Sequence, residues 1–314
     1  MAQSVVTHKI NIYQTQPKIG EETMIDYAFY NGVFTPYDAC SVPISDRSIF
    51  FGEAVYDVML GRRGVPYQLD EHLGRLLGNA EKIGLEDIPS REYLCEAIDE
   101  LIAEAQADDF VLYAQLSGNG ARRSHTRSEV GVNVLLTVTE TQIPKELLLT
   151  DAITLPDLRH GYCNVKTTAL LPAVMSLMAA EERDAEIAIF EKDGYITECS
   201  HANISIINGD TLLTHPRDQS VLPGISEDNL IRICKERGLG HEIRHFTLSE
   251  AMNAELVLIT STTKLLRVCR SINREALRVA NIALVRSIFD DMRRDLFDKT
   301  GEICHKTHFM GKEC

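Results

Sequence analysis

Apolar residues recur at Leu69, Leu73, Leu76, Leu77, Ala80 and Ile83, the spacing of one helix face, and Gly84 follows where a helix can end. Ser90 can cap a second helix reaching about Ala105. Around this pair the period shortens. Residues 27–33 and 40–43 read as short strands with an Asn31-Gly32 turn between them, and residues 54–60 as a further strand. Residues 61–65 look like a hairpin turn. Residues 110–117 and 131–139 are apolar strands that flank a polar, glycine-containing loop, 118–129.

The second half has a different pattern. Residues 188–190 and 195–197 are joined by Lys192-Asp193-Gly194, and residues 203–207 and 211–214 by Asn208-Gly209-Asp210. Two successive hairpins with this turn chemistry predict an antiparallel β region. Helices are expected over 171–184 and 227–237, and Thr247 with Glu250 forms a capping box. Residues 255–260 read as a buried strand. The polar stretch 139–146 carries Pro144 near the middle of the chain and is the best linker. The expected division is a polar N-terminal extension (1–26), a small α/β domain (27–140), a linker (141–146), a larger domain (147–290) and a C-terminal helix and tail (291–314). The fold class is α+β.

Composition narrows the function. Lys and Arg number 32 against 46 Asp and Glu, a net charge of −14. That lacks the basic footprint of nucleic-acid binding and argues against an anionic membrane surface. An anionic ligand must therefore be held by a local cluster of donors. No apolar run approaches the length of a membrane span, and no secretory signal is visible. The eight cysteines are scattered without a CxxC pair, which fits free thiols in a cytoplasmic protein.

Five segments can carry chemistry. Lys166 precedes the apolar helix at Leu171 and could serve as a Schiff-base lysine, which needs an amine whose charged form is disfavoured. Glu198 stands in a run with Ser200, His201 and Asn203. Gly224-Ile225-Ser226 leads into a helix and exposes backbone N–H groups to an anion. Thr260-Ser261-Thr262-Thr263 ends a buried strand, and Arg75 lies on an amphipathic helix. Each segment alone also has an ordinary reading as a solvated strand end or helix face.

Together and in this order they closely resemble the fold-type IV family of pyridoxal-phosphate (PLP) enzymes. That family contains D-amino-acid transaminases, branched-chain aminotransferases and 4-amino-4-deoxychorismate lyase. The resemblance runs from about Tyr27 to Arg270. It includes Asp46-Arg47, Phe51-Gly52 through Tyr56, Glu71-His72-x-x-Arg75, Lys166, Thr197-Glu198, Leu222-x-Gly224-Ile225-Ser226 and Thr260 to Thr263. It implies a two-domain fold whose larger C-terminal domain is a pseudo-barrel that binds PLP. It further implies that Lys166 carries the cofactor as a Schiff base and moves protons. Glu198 would keep the pyridine nitrogen protonated. Arg75, Ile225, Ser226 and Thr262 would hold the phosphate.

The segment Arg123-Ser124-His125 resembles the carboxylate trap of D-amino-acid transaminases, with Tyr56 as third partner. Arginine and imidazole are suitable carboxylate donors. In that branch the loop comes from the neighbouring subunit, which implies a homodimer with its active site at the interface. The loop is one residue longer than the pattern, so either Arg123 or Arg122 takes the carboxylate. His201, Ser261 and Thr263 are secondary candidates. The expected reaction moves the amino group of a D-amino acid to 2-oxoglutarate or pyruvate. The alternatives are an L-branched-chain aminotransferase, an aminodeoxychorismate-type lyase and a non-catalytic relative. Cys304, His305, His308 and Cys314 match no standard zinc spacing, and no metal is expected.

Overall fold

Two sheets organise the chain in the computed structural model, which describes residues 26–120, 122–126 and 131–301. The first is built from β1 (Tyr27–Tyr30), β2 (Val33–Pro36), β3 (Ala54–Arg62), β4 (Val65–Pro66), β5 (Asp109–Gly118) and β6 (Val132–Glu140). Its order is β2-β1-β6-β5-β3-β4, with every neighbouring pair antiparallel. It carries α1 (Arg47–Phe51), α2 (Leu69–Lys82) and α3 (Arg91–Ala105). Leu73 and Leu76 of α2 and Leu94, Ile98 and Leu101 of α3 pack on Val55, Met59, Phe110 and Leu112 of the sheet. Each such side chain, fully buried, contributes about 1.5–3 kcal/mol.

The second sheet holds β7 (Leu148–Pro156), β8 (Ile187–Lys192), β9 (Tyr195–Cys199), β10 (Asn203–Asn208), β11 (Thr211–Thr214), β12 (Gly240–Ile243), β13 (Leu256–Ser261), β14 (Leu265–Ile272) and β15 (Glu275–Ala276). Its order is β12-β11-β10-β13-β14-β7-β8-β9, with β15 paired to β14. The pairs β11–β12, β14–β7 and β7–β8 are parallel, and the rest are antiparallel. Four helices accompany it: α4 (Leu171–Glu181), α5 (Ile225–Glu236), α6 (Leu248–Asn253) and α7 (Ile282–Gly301). The α+β class is as expected. Among the described residues no helix is long and apolar enough to cross a membrane.

Helix α7 ties the two sheets together. Its Val285, Ile288, Phe289, Met292 and Leu296 share one core with Leu230 and Ile233 of α5 and with Leu60 and Tyr67 beside the first sheet. The Tyr67 hydroxyl donates to Asp295 of α7 and accepts from Asn229 Nδ2 of α5. A second tie is a strand contact. Tyr56 N donates to Lys166 O (2.9 Å) and Thr168 N to Ala54 O (3.1 Å), around an isolated antiparallel bridge between Val55 and Thr167.

Several elements differ from the pattern reading. Residues 40–43 are not a strand. The Asn31-Gly32 turn, with φ of 47° and 90°, pairs Tyr30 directly with Val33, so the return strand starts there and is over by Pro36. Strand β3 runs to Arg62, and the turn is only Arg63-Gly64, both at positive φ. Helix α4 ends at Glu181 and not Asp184, while α5 starts at Ile225, two residues early. The C-terminal helix begins at Ile282, ahead of the expected 291, because its apolar stripe starts at Val285. Strands β7, β12, β14 and β15 carried no alternation clear enough to predict. The 1–25 part of the extension and the Cys304–Cys314 tail lie outside the described residues.

Gly61 lies opposite Phe110 in the β3–β5 register, and a Cβ there would stand 2.0 Å from the buried ring. Gly61→Ala should therefore destabilise the fold by about 1–3 kcal/mol, as overpacking does. Urea unfolding should show a lower midpoint at unchanged slope; an unaltered midpoint would mean that the ring shifts freely.

Candidate active site

The bridge at Val55–Thr167 dictates the centre of the site. Tyr56 and Lys166 are its flanking cross-strand pair, so their side chains share a face. Lys166 Nζ lies 4.6 Å from the centroid of the Tyr56 ring, which stacks in turn on Tyr113. Desolvation lowers the lysine's pKa to about 8, the Arg75 charge lowering it further and Asp57 and Glu198 partly offsetting both. A primary amine in this range has a usable neutral fraction near pH 7.

Alternation along β3 turns the next residue, Asp57, to the opposite face, toward α2. There it is buried and accepts from Arg75 Nε (2.7 Å), Arg75 Nη2 (2.8 Å) and His72 Nδ1 (2.7 Å). Burial alone would raise this carboxyl, but the hydrogen bonds from Arg75 and His72 hold it well below the usual range. Arg75 Nη1 donates to Pro223 O (2.8 Å). Three of the five guanidinium N–H groups are thus committed, and two remain for an anion. Pro223 leads to Gly224, the N-cap of α5, which supplies no side-chain cap. The Ile225 and Ser226 N–H groups are left open at the helix N-terminus. Gly224 is required by close approach, since a Cβ there would meet Asn203 Oδ1 at 2.0 Å.

Glu198, on β9, forms the far wall and is buried. It pairs with Arg159 and accepts from Leu222 N (3.0 Å) and Asn203 Nδ2 (3.4 Å). Burial raises its pKa to about 7 against the lowering effects of Arg159 and the Leu222 N–H. Arg159 is fixed by Asp157, by Ser220 O (2.9 Å) and by the Phe190 ring (4.7 Å). Asn203 Nδ2 also donates to Leu222 O (2.8 Å), linking the Glu198 wall to the α5 entry loop.

One pocket collects Tyr56, Arg75, Lys166, Glu198, His201, Ile225, Ser226, Ser261 and Thr262. Thr263 does not line it. His201 lies at the rim of the pocket and is exposed to solvent. Arg122, Arg123 and His125 do not reach the pocket within one chain. Arg123 lies over the Phe50 and Phe51 rings, and His125 beside Phe51. Their loop is anchored by Arg47, which donates to Ser124 O (2.8 Å) and pairs with Glu53 (2.6 Å). The sequence reading missed Arg159, Asp57 and the role of Asn203. Asp57 adjoins Tyr56 and faces His72 and Arg75, three residues apart on one helix, a signal that could have found it.

Comparison with known proteins fits this geometry. The family model Amino-transferase class IV matches residues 54–272, which take in strands of both sheets and the whole pocket lining. The chain belongs to the class-IV aminotransferases. It is 33% identical to the D-alanine aminotransferase of Bacillus licheniformis over 240 residues, 74% of this chain and 84% of the relative. It is 32% identical to the D-alanine aminotransferase of Listeria monocytogenes, covering 71% and 79%. Among solved structures, the branched-chain aminotransferase of Thermoproteus uzoniensis superposes with a TM-score of 0.79 at 20% identity, covering 87% and 95%. A putative 4-amino-4-deoxychorismate lyase of Legionella pneumophila gives 0.75 at 22% identity, covering 82% and 97%. These two show the fold, the two-domain α+β architecture with a curled second sheet.

This class-IV aminotransferase is a PLP enzyme, and its pocket suits the cofactor. The uncommitted N–H groups of Arg75 and the open helix N-terminus suit a phosphate. The buried Thr260 hydroxyl has no hydrogen-bond partner in the pocket wall, so a polar acceptor or donor is wanted there. Lys166 offers the amine, and Glu198 the carboxylate for a ring nitrogen.

A second buried glutamate, Glu227 on α5, is pushed up to about 8 by desolvation, partly countered by Arg217. A raised folded pKa gives stability that is full below the unfolded value of about 4.5 and is lost as pH rises through 8. Glu227→Gln should therefore match wild type at pH 4.5 and become more stable than it by pH 9, by a few kcal/mol. Denaturant melts at both pH values check this, and equal stability at pH 9 would show that Glu227 ionises without cost.

Proposed function

We propose that this aminotransferase transfers the amino group of a D-amino acid to a 2-oxo acid such as 2-oxoglutarate or pyruvate. The observation that carries the reading is the convergence of Lys166, Glu198 and Arg75 in one pocket of a chain whose 31–33% identical relatives are D-alanine aminotransferases. Bound PLP supplies an electron sink for the pair released when the substrate Cα–H bond breaks. Lys166 would hold the cofactor and, as a buried amine with a lowered pKa, would carry the proton that leaves the substrate Cα. Glu198 holds a proton at the ring nitrogen, and Arg159 keeps the carboxylate aimed. Arg75 and the Ile225 and Ser226 N–H groups hold the phosphate, joined by Thr262.

The substrate carboxylate is assigned to Arg123 and His125, with Tyr56 on the pocket side. This loop is out of reach of its own pocket, so the reading requires a second copy of the chain. An exposed apolar stripe supports that arrangement. Leu171, Val174, Met175 and Met178 line one side of α4, directly after the Lys166 segment, and Ile49 and Phe50 are exposed beside the Arg123 loop. A stripe of this kind on a soluble protein marks an interaction surface. We assign the protein to the cytoplasm, consistent with the six free cysteines among its described residues.

Two experiments test the reading. Lys166→Ala should abolish the visible absorbance of lysine-bound PLP and reduce transamination to background. Retention of both would remove Lys166 from the mechanism. For the carboxylate, charged hydrogen bonds are worth about 1.5–3 kcal/mol, so Arg123→Ala should cost about 10- to 150-fold in kcat/KM for D-alanine. The cofactor spectrum should not change. A larger loss in Arg122→Ala would move the assignment by one position, and a wild type that prefers L-leucine to D-alanine would overturn the D-amino-acid reading.

A further inference from the structure

The carboxyl ends of β11 and β12 carry a second constellation, behind the Glu198 wall. These strands are parallel neighbours with Thr214 opposite Ile243, so the residues just past them emerge side by side. His215 follows one strand and His245 the other, with Asp218 in the intervening turn. His215 Nε2 and His245 Nδ1 stand 3.0 Å apart, and ligand atoms of all three residues lie within 4.8 Å of one another.

The two histidines hydrogen-bond to each other through these atoms, His245 Nδ1–H donating to His215 Nε2, and a metal ion would take the place of that shared proton. His215 Nδ1 contacts Pro216 O at 2.7 Å, and since a carbonyl only accepts, the proton of this ring is on Nδ1. Nε2 therefore presents its lone pair, with the tautomer fixed by a backbone carbonyl as in most metal-bound histidines. Asp218 Oδ1 accepts from Ser220 N (2.7 Å) and Ser220 Oγ, which orients the carboxylate and leaves Oδ2 open. The ring planes of the two histidines cross at 81° with centroids 4.5 Å apart. The two nitrogens and an Asp218 oxygen lie close enough together to face one ion. His215 is buried and rigid, while Asp218 and His245 are exposed and can adjust to ligand distances of about 2.0–2.2 Å. The Arg159 charge in the adjoining wall is already matched by Asp157 and Glu198.

We propose that His215, His245 and Asp218 form a binding site for a divalent transition-metal ion of the zinc, cobalt or nickel type. Two imidazoles with one carboxylate suit these ions, whereas calcium and magnesium need oxygen cages. The histidines are 30 positions apart in the chain, so no short motif announces them.

The test uses tag-free, PLP-loaded full-length protein, stripped with chelator and titrated with Co²⁺ by visible absorption and with Zn²⁺ by calorimetry. Wild type should bind one equivalent at this site with ligand-field bands free of thiolate charge transfer. His245→Ala should lose that equivalent or bind it at least tenfold more weakly, and Asp218→Asn should weaken it. Both positions are exposed, and metal-free thermal melts equal to wild type would exclude a folding defect. Equal stoichiometry and affinity in wild type and both variants would overturn the proposal. So would thiolate charge-transfer bands on the bound Co²⁺, which would assign the metal to cysteines.

Discussion

A single antiparallel bridge between Val55 and Thr167 sets the geometry on which the pocket depends. It joins a strand of the first sheet to a segment that leads into the second. The pairing forces Tyr56 and Lys166 onto one face. The period-two alternation of β3 then sends Asp57 to the other, where it grips Arg75 of α2. The bridge thus sets the amine beside Tyr56, while Asp57 on the other face of the strand holds Arg75, whose guanidinium reaches the same pocket. A slip of one residue in this register would exchange the faces and leave a carboxylate against the lysine. The shared core of α7 with Leu60 and Tyr67 keeps the two sheets from moving apart and so protects the register.

The charge balance explains why the second contacts are so elaborate. A chain with a net charge of −14 repels a phosphate at long range. Within the pocket, Arg75 must stay aimed without having its charge fully spent. Asp57 takes one edge of the guanidinium and Pro223 O one further N–H, and the outward N–H groups remain. The α5 N-terminus adds partial positive charge with no mobile side chain. Asn203 locks the loop that carries this helix start to Glu198, so the open helix end and the carboxylate are held at a fixed separation.

Much of this was legible in the sequence, for identifiable reasons. Helices α2 and α3 declare themselves through their apolar spacing, and the hairpins β8–β9 and β10–β11 through Asp-Gly and Asn-Gly turns. Lys166, Glu198, Arg75 and the Gly224-Ile225-Ser226 turn are each ambiguous alone and could be named because their order along the chain resembles that of fold-type IV enzymes. Strands β7 and β14 were not legible, because they pair in parallel across more than a hundred residues and carry no turn chemistry between them. Arg159 was missed for a related reason. Its partner Glu198 is 39 residues away, and an arginine at a strand end reads as solvated until the fold brings the carboxylate to it. The segment 40–43 shows the reverse error, where apolar character suggested a strand but the tight turn at Asn31-Gly32 had already used the available edge.

The final constraint is energetic. Glu198 titrates near 7 and Lys166 near 8, although a free glutamate and a free lysine lie far apart on either side of neutrality. Burial causes both shifts, since it disfavours a charge of either sign. A lysine in this range has a neutral fraction able to take a proton near neutrality, and a carboxyl in this range can share one with a ligand atom beside it at little cost. The fold bears the desolvation of both groups before any ligand arrives. A cofactor that binds only the folded chain returns stability by mass action. The same burial that tunes the two groups for chemistry therefore couples retention of the cofactor to the stability of the fold.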